Sequence, residues 1–197
     1  MKTLLHELRV SLLLTLLLAV LLCGAYPLAV WAAGRALFPH QAGGSLLTAP
    51  DGTVTGSALL AQNFAAPKYF HPRPSAAGTG YDATSSSGTN LGPTSKKLAD
   101  AITAAVTAYR TENHLPDNQP VPADAVTSSA SGLDPHISPD NARLQAARVA
   151  EARSLPPARV LALVAARTES PDWRVFGEAR VNVVLLNLDL DQAVAAR

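Results

Sequence analysis

The run from Val10 to Gly34 carries no charged residue, and it constrains the chain more than any other feature. Its length of about 25 residues exceeds the roughly 20 that an α-helix needs to cross a bilayer core. Leucine dominates it. Ser11 and Thr15 interrupt it early, but each hydroxyl can bond a carbonyl of the preceding turn, so a helix carries both into lipid. Pro27 predicts a kink in the outer third. Tyr26 and Trp31 lie toward the far end, where amphipathic rings favour the interface. The amino terminus, Lys2 and Arg9 precede the run, whereas Arg35 alone follows it until Lys68. That bias predicts residues 1–9 in the cytoplasm, a span over 10–34 and an extracytoplasmic domain over 35–197. Three rival readings fit less well. A signal peptide has an apolar core of roughly 7–15 residues, although Val30-Trp31-Ala32 offers it a cleavage site. A lipoprotein anchor needs a small residue before Cys23, where Leu22 stands. The buried helix of a soluble domain would not be so long and apolar all round.

Beyond the span the chain is nearly neutral, with Lys+Arg 16 against Asp+Glu 15 over the whole sequence. It lacks the basic patch of a nucleic-acid binder. Aromatics make up 5%, so the core must be built mainly from Ala, Val and Leu. Cys23 is the one cysteine, which excludes a disulfide and a cysteine-based metal site from the domain. Residues 35–43 predict a linker. A hairpin follows, Ser45–Thr48 and Thr53–Thr55 about an Asp51-Gly52 turn. Residues 65–95 are rich in Pro, Gly, Ser and Thr, the composition of a disordered linker. Yet Phe64, Tyr69, Phe70 and Tyr81 are interleaved there, four of the eight Phe and Tyr, and they predict a long loop packed on the domain. Leu98, Ile102, Ala105, Val106 and Tyr109 recur at helical spacing and predict a helix from Thr94 or Ser95 to about Asn113. A second polar loop covers 121–137. Ser138-Pro139-Asp140 then starts a helix with a hydroxyl cap, a first-turn proline and an acid. Pro156-Pro157 starts another. Val181–Leu188 predicts a buried strand. The fold class is one N-terminal transmembrane helix plus a mixed α/β (α+β) domain.

Asp134-Pro135-His136 is the triplet most suggestive of chemistry. A metal needs three or four ligands, however, and the remaining histidines His6, His40, His71 and His114 are scattered. The spacing favours a structural role, with Asp134 and His136 bonding backbone groups ahead of the helix. No Gly-x-Ser-x-Gly elbow and no phosphate-binding loop occurs.

Four stretches, taken in order, carry a resemblance. They are Gly56–Phe64 with Gln62, Tyr69–Ser75 with Arg73 and Pro74, Ser87–Thr94 with Asn90, Leu91, Gly92 and Pro93, and Val126–Pro139 with Gly132, Asp134, His136 and Ser138. Together with Val181–Asn187 they resemble the KdpC family, the C subunit of the bacterial potassium-transporting P-type ATPase. Ala61 and Ala130 depart from glycines usual in that family. The resemblance implies an inner-membrane accessory subunit of a high-affinity potassium uptake complex, without catalytic residues of its own. Its partners would be a channel-like potassium-binding subunit, a P-type ATPase subunit and the lipid around the anchor. The family subunit is required for assembly and is proposed to raise ATP affinity, so ATP is expected at most through the complex. The alternative from the residues alone is a free-standing, membrane-anchored periplasmic binding protein or enzyme.

Overall fold

The structure is a computed structural model that describes residues 2–49 and 51–195; the terminal residues 1, 196 and 197 of the expected segments lie outside the described residues. The chain divides into two compact units, residues 1–57 and 58–197.

The first unit opens with α1 (Lys2–Val20), a single π turn (Leu21–Ala25) and α2 (Tyr26–Leu37). Proline has no N–H, and its ring collides with the carbonyl four residues back. The wider π turn sits immediately before Tyr26-Pro27 and relieves that collision within a continuous helix. The stretch Thr3–Leu37, 35 residues, is long and apolar enough to cross a membrane. Its leucines lie exposed on every side. The helix continues past Gly34 to Leu37, and with a further turn, α3 (Pro39–Ala42), it occupies most of the expected linker. Phe38 separates the two helices because the residue before Pro39 is pushed out of the helical region. The predicted hairpin is present as β1 (Leu46–Thr48) and β2 (Val54–Ser57), antiparallel with a bulge between Leu47 and Thr48. Its turn is locked by Asp51, whose Oδ1 accepts from the N–H and hydroxyl of Thr53 at 2.9 and 2.7 Å.

The second unit is built on helices. α4 (Lys96–Glu112) ends at Asn113 as the pattern predicts. The expected loop 121–137 contains a one-turn helix, α5 (Ala123–Val126), and β3 (His136–Ile137). α6 (Pro139–Ala152) starts at the Ser138 cap, whose Oγ accepts from Asn141 N–H at 3.1 Å. α7 (Pro157–Ala166) and β4 (Thr168–Glu169) follow.

The predicted strand at 181–188 is corrected. Only β5 (Arg180–Asn182) is extended, pairing antiparallel with β3 on one side and β4 on the other. The rest is helix α8 (Val183–Ala195). Asn182 makes the switch: its Oδ1 accepts from Val184 and Leu185 N–H at 3.1 Å each, the bonding of a helix cap. Val183, Leu186, Asn187 and Leu190 then fall at helical spacing and are all buried. Val183, Leu186 and Leu190 join Phe70, Ile137, Val149, Val160 and Val181 in a buried core that is aliphatic apart from Phe70.

Candidate functional site

Residues 58–95 contain no helix or strand, yet their backbone is bonded inward by side chains. Phe70 is 0% exposed. No strand runs beside it, so its peptide groups need other partners. Asn187 supplies both, accepting from Phe70 N–H and donating to Phe70 C=O at 2.9 Å each. Gln145 does the same for His71, at 2.7 and 3.1 Å. Two buried amides thus act as a missing strand. Arg148, 5% exposed, donates to the carbonyls of Pro67 (2.5 Å) and Tyr69 (3.0 Å), to Asn113 Oδ1 and to Gln145 Oε1. Burial lowers its pKa somewhat, but four acceptors satisfy the guanidinium. Arg153 reaches the Lys68 carbonyl and pairs with Asp191, while its guanidinium lies 5.0 Å from the Tyr69 ring centre. Tyr69 donates to Asp191 at 3.1 Å and packs its ring against Phe64. Residues 64–75 therefore form a strap held down by α6 and α8.

A second knot joins three loops. Ser75 Oγ donates to the Gly132 carbonyl at 2.7 Å and accepts from Tyr81 N–H at 2.9 Å. Tyr81 donates back to the Arg73 carbonyl at 2.9 Å, beside the half-buried Pro74. Gly132 has φ +68°, and a Cβ there would lie 2.7 Å from the Ser87 carbonyl and 2.8 Å from Ala77 N. Only glycine fits both the angle and the space. Ala61, one of the departures from the family pattern, is buried and donates from its N–H to the Leu133 carbonyl at 2.8 Å, so its methyl is accommodated.

Asp134 and His136 close the third side. Asp134 Oδ1 accepts from His136 N–H at 3.0 Å and lies 3.1 Å from His136 Nδ1. That side-chain bond holds the Asp134 carboxyl below its ordinary pKa, against desolvation. Arg73 Nη1 lies 3.7 Å from Asp134 Oδ2, and Nη2 donates to the Ser128 carbonyl at 3.2 Å. Glu112 is likewise held down by His71, whose Nδ1 is 2.9 Å away. Around Ser138, Asp124 accepts from the Ser138 N–H and hydroxyl and from Asn141 Nδ2, at 2.7, 2.9 and 2.9 Å. Burial, then the nearby Asp124, pushes the Tyr109 hydroxyl pKa up, and it donates to Asn141 Oδ1 at 2.8 Å.

A cleft of about 590 Å³ opens beside Arg73, Asp124, Asp134, His136 and Arg180. Asp124 and Asp134 already serve internal donors. Among the described residues no group of three or more His, Cys, Asp or Glu is placed to hold a metal ion.

The structure thus gathers Phe64, Tyr69, Phe70, Arg73, Pro74, Ser75, Gly132, Asp134, His136 and Ser138 around the strap and its knots. Gln62 lies just before the strap, its carbonyl accepting from Phe64 N–H at 2.9 Å. Asn90 and Leu91 lie in a separate irregular segment, and Gly92 and Pro93 open the turn into α4, where Gly92 C=O accepts from Ser95 N–H. Sequence reasoning missed Asn141, Gln145, Arg148 and Asn187. The signal was present: the first three share one face of α6, and Asn187 interrupts an otherwise apolar run.

The fold and the site define a class: among the described residues, one long apolar helix and a domain whose buried Asn187, Gln145 and Arg148 bond its own backbone. A family model described as "K+-transporting ATPase, c chain" matches residues 8–192, helix and domain together, and the chain belongs to that family. The potassium-transporting ATPase KdpC subunit of Nitratidesulfovibrio vulgaris is 55% identical over 96% of this chain and 95% of its own. The proteins of the same description from Myxococcus xanthus and Caulobacter vibrioides are 56% and 52% identical, over 85% and 95% of this chain and 79% and 93% of theirs. The chain is accordingly a potassium-transport protein, a subunit of an ATPase complex with one candidate membrane span.

Proposed function

We propose that the chain is a non-catalytic subunit of an ATP-driven potassium uptake complex, needed to assemble a channel-like potassium-binding subunit with a P-type ATPase subunit. It sits in the inner membrane with residues 1–9 in the cytoplasm, 10–34 in the bilayer and 35–197 outside. The observation that carries this reading is the family match over residues 8–192, which takes in anchor and domain as one. The internal use of Asp134, His136, Gln145 and Asn187 supports a structural rather than a chemical role for the strap. The charge bias about the span supports the orientation.

The subunit raises the ATP affinity of its partner indirectly. Most of the chain stands across the membrane from cytosolic ATP in this orientation. An indirect effect requires only that it bind one conformation of the ATPase better than another, and a preference of about 1.4 kcal/mol shifts apparent affinity about tenfold. Calorimetry tests this on the purified full chain and on the complex. Binding of ATP by the complex only, weakened when this subunit is removed, is the expected result. Specific binding by the chain alone overturns the indirect account and points to Gln62, Arg73 and residues 87–94. His136→Ala should lower complex yield and leave potassium-stimulated ATPase activity in the fraction that assembles. A fully assembled complex without that activity overturns the structural role.

A further inference from the structure

The hairpin joining β4 to β5 exposes its largest side chains. Trp173 is 87% exposed, Val175 76% and Phe176 61%. The Trp173 and Phe176 rings meet edge to face at 5.9 Å, so they form one patch. The backbone beneath is tightly bonded: Asp172 and Phe176 exchange two hydrogen bonds of 2.9 Å, and Arg174 N–H donates to the Pro171 carbonyl at 2.8 Å. Trp173 and Arg174 are both held at positive φ, +51° and +63°. Two successive residues in the left-handed region make the tight turn of a hairpin, which fixes the tip with its large side chains outward. Asp172 is paired with Arg180, which also pairs with Glu169. Arg174 has no ion-pair partner among the described residues, so the tip itself is apolar and cationic.

We propose that this tip inserts into the interfacial region of a lipid bilayer, with Trp173, Val175 and Phe176 among the upper acyl chains and Arg174 on anionic headgroups. The proposal rests on the reading of Thr3–Leu37 as a membrane span. Two arguments favour lipid over a protein socket. The tip's exposed apolar surface is on the order of 400 Å², about half of what one partner of a specific protein interface commits, roughly 800 Å². A domain tethered to the bilayer by its own helix needs no larger contact, because the tether makes the second contact intramolecular. The Trp–Arg combination also matches interfacial chemistry, an amphipathic ring at headgroup depth beside a cation.

The chain has two tryptophans, Trp31 in the span and Trp173 at the tip, and each reports one claim. The full-length W31F and W173F variants are reconstituted alone into vesicles of phosphatidylcholine and phosphatidylglycerol with brominated acyl chains. In W31F, Trp173 emission should shift to the blue and lose at least roughly half as much intensity as Trp31 loses in W173F. R174E, or vesicles of phosphatidylcholine only, should reduce the Trp173 loss and leave Trp31 unchanged. Water-like, unquenched Trp173 emission alongside a quenched Trp31 overturns the proposal while the span stands. A shift of Trp173 that appears only when the partner subunits are added overturns it in favour of a protein socket. An unquenched Trp31 overturns the span and the tip together.

Discussion

The strap at residues 64–75 and the tip at residues 171–177 are both irregular, and they treat their side chains in opposite ways. The strap buries Phe70 and has no ladder of its own, so its peptide groups depend on Asn187, Gln145 and Arg148. The tip bonds its own backbone within residues 171–176 and turns its tryptophan, valine and phenylalanine outward. A loop without secondary structure is therefore not one kind of object. Where the peptide bonds go decides whether it belongs to the core or to a neighbour.

The sharpest way to break this contrast is Asn187→Leu. It strands the N–H and C=O of Phe70 in an apolar core and should cost roughly 3 kcal/mol or more, since each buried orphan costs about 1–3 kcal/mol. Chemical unfolding of the detergent-purified full chain measures it; a loss under about 1 kcal/mol would mean water reaches the strap. Glycine substitutions separate crowding from conformation. Gly132→Ala, at φ +68° and with carbonyl and amide atoms within 3 Å of the new methyl, should cost about 2–4 kcal/mol. Gly177→Ala has φ +83° but open space, and should cost about 1–2 kcal/mol. Equal losses in the two unfolding curves would remove the three-loop knot from the account.

Acid should loosen the strap and spare the tip. Glu112 and Asp134 have folded pKa values below their ordinary 4.5 and 3.8, chiefly through His71 and His136. Groups depressed on folding contribute stability that is present above the unfolded value and lost as pH falls through the folded one. The melting temperature should thus hold down to about pH 4.5 and decline below it, less steeply in Glu112→Gln. Both carboxylates are partly exposed, so solvent screening keeps each effect under about 1 kcal/mol. The smallest effect belongs to Trp173→Ala, which should change stability by less than about 0.5 kcal/mol. A larger loss in the same unfolding assay would make the tip a folding element.

Local chemistry made some of this legible in the sequence. Ser138-Pro139-Asp140 states a helix start through groups within three residues, and Asp51-Gly52 states a turn. The aromatics between Phe64 and Tyr81 showed that the strap packs. What holds it was not legible, because Asn187 lies 117 residues from Phe70 and no local pattern links them. The C-terminal run misled for a related reason. Val181, Val183 and Val184 suit a strand, but the cap supplied by Asn182 and the spacing of Val183, Leu186 and Leu190 turn the segment into a helix. The exposure of Trp173 is not legible in the sequence, since it is decided by where the hairpin projects.

The long reach from strap to clamp also sets the order of events in synthesis. The ribosome delivers Phe70 early, and Asn182 and Asn187 near the end, with 124 residues between Ala58 and Asn182 and 117 between Phe70 and Asn187. Gln145 and Arg148 of α6 can reach the strap earlier, but until the last segment emerges the peptide groups of Phe70 have only water to bond with. Contacts this distant in sequence slow folding and leave a nascent chain exposed to proteases and aggregation. The clamp on Phe70 therefore closes last. A chain stopped before Asn182 should be cleared by proteolysis, so that no half-built subunit competes for a place beside its partners.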